Sequence, residues 1–120
     1  MSDNHHKIHY IELPALSVTD MKAFYGTVFG WTFTDYGPTY AAFHGAGIEG
    51  GFDADKTYIS PQPAGAFIIL YSDDLAATES AIVTAGGTIK VPTYNFPGGK
   101  RFHFMDPSGN ELGVWVEAAS

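Results

Sequence analysis

Two periods of apolar residues run along this chain, and the order in which they occur repeats. From Lys7 to Pro14, His9, Ile11 and Leu13 fall on one face of an extended strand, with Tyr10, Glu12 and Pro14 on the other. Ser17-x-x-Asp20 then has the form of a capping box, with Asp in place of the usual Glu. Met21, Phe24, Tyr25, Val28 and Phe29 follow at helical spacing, and Gly30 stands where a left-handed cap ends a helix. Short strands are predicted at Trp31–Tyr36, at Tyr40–His44 after the Gly37-Pro38 turn, and at Gly47–Asp53. Residues 54–65 carry Pro61 and Pro63 and few apolar side chains, and read as a linker.

The same order then returns. Ala66–Ser72 is a predicted strand, Asp74 caps a helix through Ala85, and Gly86-Gly87 ends it. Thr88–Tyr94 reads as a strand, Asn95–Lys100 as a turn, and Arg101–Met105 with Leu112–Glu117 as a hairpin across Asp106-Pro107-Ser108-Gly109-Asn110. At a constant offset Ile11 falls on Ile68, Leu13 on Leu70, Ser17 on Asp74 and Gly30 on Gly87. A fixed internal period signals duplicated structure. The expected fold is therefore α+β, with two βαβββ modules at about residues 7–53 and 66–118. The second helix is the less apolar, with Thr78 and Ala81 standing where the first has Met21 and Phe24. At 120 residues the chain makes one domain, whereas either half alone would be marginal.

Composition narrows the function. The net charge of -7 argues against a nucleic-acid backbone as partner, and no apolar run is long enough to span a membrane. The absence of cysteine removes disulfides and thiolate chemistry, and the polar start shows no leader, so a cytoplasmic location is expected. Aromatic residues make up 15%, enough for both a core and an aromatic-lined cleft. The sequence holds no G-x-S-x-G, phosphate-loop or His-Glu-x-x-His motif.

The doubled plan, together with Ala23–Trp31 (AFYGTVFGW) and Phe104–Trp115 (FMDPSGNELGVW), resembles the vicinal oxygen chelate superfamily. That superfamily includes glyoxalase I, extradiol dioxygenases, fosfomycin-modifying enzymes and bleomycin-binding proteins. The resemblance implies a curled, incompletely closed eight-stranded mixed β-barrel with one helix per module outside, a cleft between modules, and a homodimer, in some members module-swapped. It also implies a divalent metal held by side chains from both modules. Carried onto this chain, the ligand positions are Tyr10, Glu49, Phe67 and Gly113, of which only Glu49 offers the usual carboxylate. His9, His44, His103, Glu12 and Glu49 are the other possible donors, without a spacing motif; no cofactor is expected.

Several residues then become candidates. Glu12 lies on the predicted cleft face, where partial desolvation would suit a proton-transfer role or a cation contact. Tyr10, Phe67, Ile69 and Tyr71 share the same parity and would wall a pocket for a hydrophobic or aromatic molecule. Tyr36, Tyr40 and Trp115 would rim it with hydroxyl or indole donors. Arg101 and His103 alternate with Phe102 and Phe104. Facing the cleft, His103 would serve as a general base and Arg101 would hold an anion; without a partner motif, surface positions are the favoured reading. Small-molecule binding without a metal is thus the leading expectation, and the acidic charge suits a cationic aromatic ligand. The alternative is a lyase, isomerase or dioxygenase-type enzyme using Glu12, His103 or an unconventional metal site.

Overall fold

The computed structural model describes residues 5–6, 8–55 and 67–118. Most of the expected linker lies outside the described residues. The elements occur in the order β1 (Tyr10–Pro14), α1 (Val18–Phe29), β2 (Thr32–Asp35), β3 (Tyr40–His44), β4 (Glu49–Asp53), β5 (Ile69–Tyr71), α2 (Leu75–Thr84), β6 (Thr88–Phe96), β7 (Gly99–Met105) and β8 (Glu111–Glu117). The strand, helix and three-strand succession thus occurs twice.

Local chemistry explains the helix ends. The Ser17 hydroxyl accepts from the Asp20 backbone N–H at 3.2 Å, and Gly30 closes α1 in the left-handed conformation at φ 74°. The Asp74 carboxylate accepts from the Ala77 N–H at 3.1 Å and starts α2. Val18, Met21, Phe24 and Tyr25 of α1 are buried, against only Leu75 and Ile82 of α2, as the weaker apolar face of the second helix predicts.

The strands form two four-stranded mixed sheets, ordered β1-β4-β3-β2 and β5-β8-β7-β6. In each, the first strand runs parallel to the last and the other pairs are antiparallel. The strands do not close into a barrel: β1 and β5 are edge strands of separate four-stranded sheets. The modules meet instead through apolar packing. Phe24 and Phe29 of α1 lie 6.0 and 6.1 Å, ring to ring, from Phe104 of β7, within one core that also holds Phe52, Phe102, Leu112 and Val114. Among the described residues no element covers the opposite face of either sheet.

Two local expectations change. Asn95–Lys100 is not a loop, because Asn95 pairs with Lys100 and Phe96 with Gly99, leaving Pro97-Gly98 as a two-residue hairpin turn. His9 lies just before β1, which starts at Tyr10, and is exposed rather than sharing a strand face with Ile11 and Leu13. Across the modules, the Asp106–Asn110 turn grips the β1–α1 connection. Leu16 N–H donates to Ser108 Oγ at 2.8 Å, Asn110 Nδ2 donates to the Pro14 carbonyl at 2.9 Å, and Tyr25 O–H donates to Asp106 at 2.9 Å.

Candidate functional site

The open face of the first sheet carries a hydroxyl and carboxylate cluster. Strand alternation puts Tyr10 and Glu12 opposite the buried Leu13, and Gly51 on β4 leaves space for the Tyr40 ring to lie across the sheet. The Tyr40 and Tyr10 hydroxyls are 2.5 Å apart, and Tyr40 O–H donates to Glu12 Oε2 at 2.9 Å. Desolvation, then the bonds to Tyr10 and Glu12, holds the Tyr40 phenol well above its usual range, so it stays protonated as a donor. Glu12 is exposed rather than desolvated. On the same face the His44 ring lies between Thr34 Oγ1, at 2.9 Å, and Glu49, at 3.2 Å.

The open face of the second sheet is aromatic and cationic. Phe67 stacks obliquely on His103 at 4.7 Å, Tyr71 meets Trp115 edge-on at 5.1 Å, and Phe96 lies 6.2 Å from Trp115. Arg101 and His103 sit on this face, because β7 buries Phe102 and Phe104 on the other. Both thus point away from the Phe102 and Phe104 core. Both are partly covered and both have partners. Their partners Tyr94 and Glu111 escaped sequence reading, because the hairpin register that sets Tyr94 opposite Arg101 was hidden in the supposed loop. Glu111 shares the parity of Gly113 and Trp115 on β8, which was the available signal.

A third feature lies between the modules, beside the edge strands β1 and β5. An apolar cavity of about 650 Å³ is lined by Ile11, Leu13, Trp31, Phe43, Ile48, Phe67, Ile69, Tyr71 and Leu112, among others. Among the described residues no carboxylate, lysine, arginine or histidine lines it. Three expected pocket residues, Phe67, Ile69 and Tyr71, are at this cavity. Tyr10, Glu12 and Tyr40 instead belong to the first sheet's open face, and Arg101, His103 and Trp115 to the second's. Tyr36 is 67% exposed and forms no wall. Phe67 and Tyr71 also meet His103 and Trp115, so the cavity adjoins the second sheet's open face, while Tyr10, Glu12 and Tyr40 lie on the first's.

The residues at the implied metal positions do not make a donor set. Tyr10 and Glu49 are register partners, but the Tyr10 hydroxyl is taken by Tyr40 and Glu49 by His44. In the second module Phe67 covers Gly113 so closely that a Cβ there would lie 3.0 Å from its ring. Neither residue carries a donor atom in its side chain. Among the described residues no three His, Cys, Asp or Glu side chains are grouped to hold a metal ion.

Residues 7–114 match the family model of the Glyoxalase/Bleomycin resistance protein/Dioxygenase superfamily. No curated protein matches the sequence. Among solved structures, a glyoxalase-related enzyme from Fulvimarina pelagi is similar at 18% identity, covering 93% of this chain and 88% of its own, with a TM-score of 0.79. A glyoxalase/bleomycin resistance protein/dioxygenase family enzyme from Burkholderia phytofirmans PsJN is 17% identical over 90% of this chain and 96% of its own, at a TM-score of 0.74. TioX from Micromonospora sp. ML1 is 18% identical over 91% and 97%, at a TM-score of 0.68. At such identities these likenesses speak for the fold alone.

Proposed function

The chain belongs to the glyoxalase/bleomycin resistance protein/dioxygenase superfamily, and from that premise we propose that it is a metal-free binder of a small hydrophobic or aromatic molecule. The observation that carries this reading is the apolar cavity between the modules. Its volume of about 650 Å³ falls in the range typical of small-molecule pockets, roughly 300–1,000 Å³. With no charged side chain among the described residues of its wall, it favours a neutral aromatic body over the cationic ligand that the net charge suggests. Exposed Tyr10, Ile69 and Tyr71 offer apolar surface to a second copy, so a homodimer belongs to the same proposal. Sedimentation at micromolar concentration is expected to give twice the chain mass; a monomer throughout would remove that part.

Trp31 lines the cavity and Trp115 does not, which provides the test. In a Trp115→Phe variant, titration with 2-naphthol should quench Trp31 fluorescence saturably. Ala46 also lines the cavity, and Ala46→Leu should push side-chain volume into it. Binding should weaken about tenfold, corresponding to ~1.4 kcal/mol of crowding. Quenching that does not saturate, or that Ala46→Leu leaves unchanged, would remove the cavity as the binding site.

A further inference from the structure

Trp31 brings to the cavity a polar atom that no described residue engages. Gly30 ends α1, and the Trp31 backbone N–H donates back to the Tyr25 carbonyl at 3.4 Å, which fixes the ring at the entry to the first sheet. Tyr25 at 4.6 Å and Phe43 at 4.7 Å stack on the indole at 13° and 29°. The ring faces are therefore covered, and the part of Trp31 that meets the cavity is its edge. The residue is only 9% exposed, yet its Nε1–H has no acceptor among the described residues. None of their side-chain nitrogens or oxygens is both sealed from solvent and without a partner, so Nε1 lies on the accessible part of that edge.

A buried indole N–H ordinarily finds an acceptor, because its lost hydration is otherwise uncompensated. Ordered water is a poor substitute here. It needs about two to four polar partners, and Trp31 and Tyr71 are the only side chains with a polar atom among the described residues of the wall. Tyr71 is 46% exposed and can keep its hydroxyl in bulk water. The other lining side chains, Leu13, Ile48 and Leu112 among them, are apolar. To a deeply held guest the side chains of the wall thus offer one hydrogen-bond donor and no acceptor.

We infer that Trp31 is the specificity-determining residue of the cavity and that its Nε1–H selects neutral aromatic carbonyl compounds. Indole is a donor only, so the matching group on the guest is an acceptor. A carbonyl oxygen supplies one without charge and without a further donor to satisfy. A carboxylate is a stronger acceptor, but it would leave water for a wall with no cation among the described residues. The single bond also sets the guest's orientation, with the carbonyl at Trp31 and the flat ring system along the hydrocarbon wall. This inference rests on the cavity reading and adds to it a ligand class and an anchor.

2-Acetylnaphthalene and 2-isopropenylnaphthalene test it, because they differ only in C=O against C=CH2. Calorimetric titration of the unaltered protein should show the ketone binding about fivefold more tightly, the net worth of one neutral hydrogen bond. 2-Naphthoate should bind more weakly than either, and tighter binding of that anion would overturn the neutral class. The chain has two tryptophans, so a nitrogen–proton correlation spectrum holds two indole N–H signals, which a Trp115→Phe variant assigns. The ketone should move the Trp31 signal further downfield than the hydrocarbon does, since the effect of the shared rings cancels in that comparison. In Trp31→Phe the preference for the ketone should vanish or reverse, because its carbonyl is then buried without a donor, while the hydrocarbon still binds. Should that variant fail to fold, the paired probes on the unaltered protein decide alone. Equal affinities, or equal shifts of the Trp31 signal, would overturn the anchor and leave the cavity reading standing. Binding of neither probe would remove the cavity reading and this inference with it.

Discussion

Asp106→Ala should destabilise this domain by about 3–5 kcal/mol, a large share of the roughly 5–15 kcal/mol that holds a domain together. Asp106 is 5% exposed, yet its carboxylate accepts from four donors. Oδ1 takes the Ser108 and Asn110 backbone N–H groups at 2.9 and 3.0 Å, while Oδ2 takes Tyr25 O–H at 2.9 Å and Asn110 Nδ2 at 3.0 Å. Alanine leaves these donors without an acceptor, at about 1–3 kcal/mol for each one that water cannot reach. The loss also crosses the module boundary, since Tyr25 lies in α1 and Asp106 follows β7. Urea midpoints measure the effect; a change within about 0.5 kcal/mol, the range of ordinary surface substitutions, would show that the two modules hold together without this latch.

The same carboxylate makes stability depend on pH. Burial pushes the Asp106 pKa above its ordinary value of 3.8, against the lowering effect of its hydrogen bonds from Asn110, Tyr25 and Ser108. A raised pKa means that the folded state binds the proton more tightly than the unfolded chain. Its stabilising contribution is complete below the ordinary value and is lost as pH rises through the folded one. The stability of the natural protein relative to Asp106→Asn should therefore increase on acidification from pH 7 toward 4. Parallel urea curves across that window would refute the sign.

Gly50→Ala should cost about 3 kcal/mol, the upper end of the usual overpacking penalty. A Cβ at Gly50 would lie 2.2 Å from the Ile11 carbonyl oxygen and 2.2 Å from Phe43 Cζ. Ile11 is its register partner on β1, so the backbone cannot retreat without breaking the parallel pair. Gly51→Ala is the internal control. Its Cβ would meet the Tyr40 hydroxyl at 2.2 Å, the far end of a side chain that can swing away. That movement should cost about 1 kcal/mol, the net worth of the hydrogen bonds Tyr40 gives up. Equal losses at the two glycines would show that Tyr40 is held as firmly as the strand backbone. The Gly50-Gly51 pair therefore does not shift the register, which stays regular from Tyr10↔Glu49 to Pro14↔Asp53; it admits two aromatic rings.

Local order was legible residue by residue. Ser17 and Asp74 as caps, Gly30 as a terminator and the α1 face of Met21, Phe24 and Tyr25 all follow from chemistry within one or two turns of chain. Tyr10 and Glu12 opposite Leu13 follow from strand alternation alone. The duplicated plan was visible for the same reason, because each module repeats these short-range signals at one offset.

Longer-range relations required the packed chain. Whether the strands close into a barrel depends on which surfaces the modules bury, and Phe24 and Phe29 on Phe104 join them while β1 and β5 remain separate edges. Arg101 and His103 could be placed only once the Pro97-Gly98 turn set the register of β6 on β7 and brought in Tyr94. Glu111 reaches His103 across the β7–β8 pairing, and Tyr25 reaches Asp106 from the other module. Periodicity records which way a side chain points relative to its own strand or helix. It carries no information on the neighbour that a distant segment supplies, and every group of candidate residues in this protein draws on more than one strand.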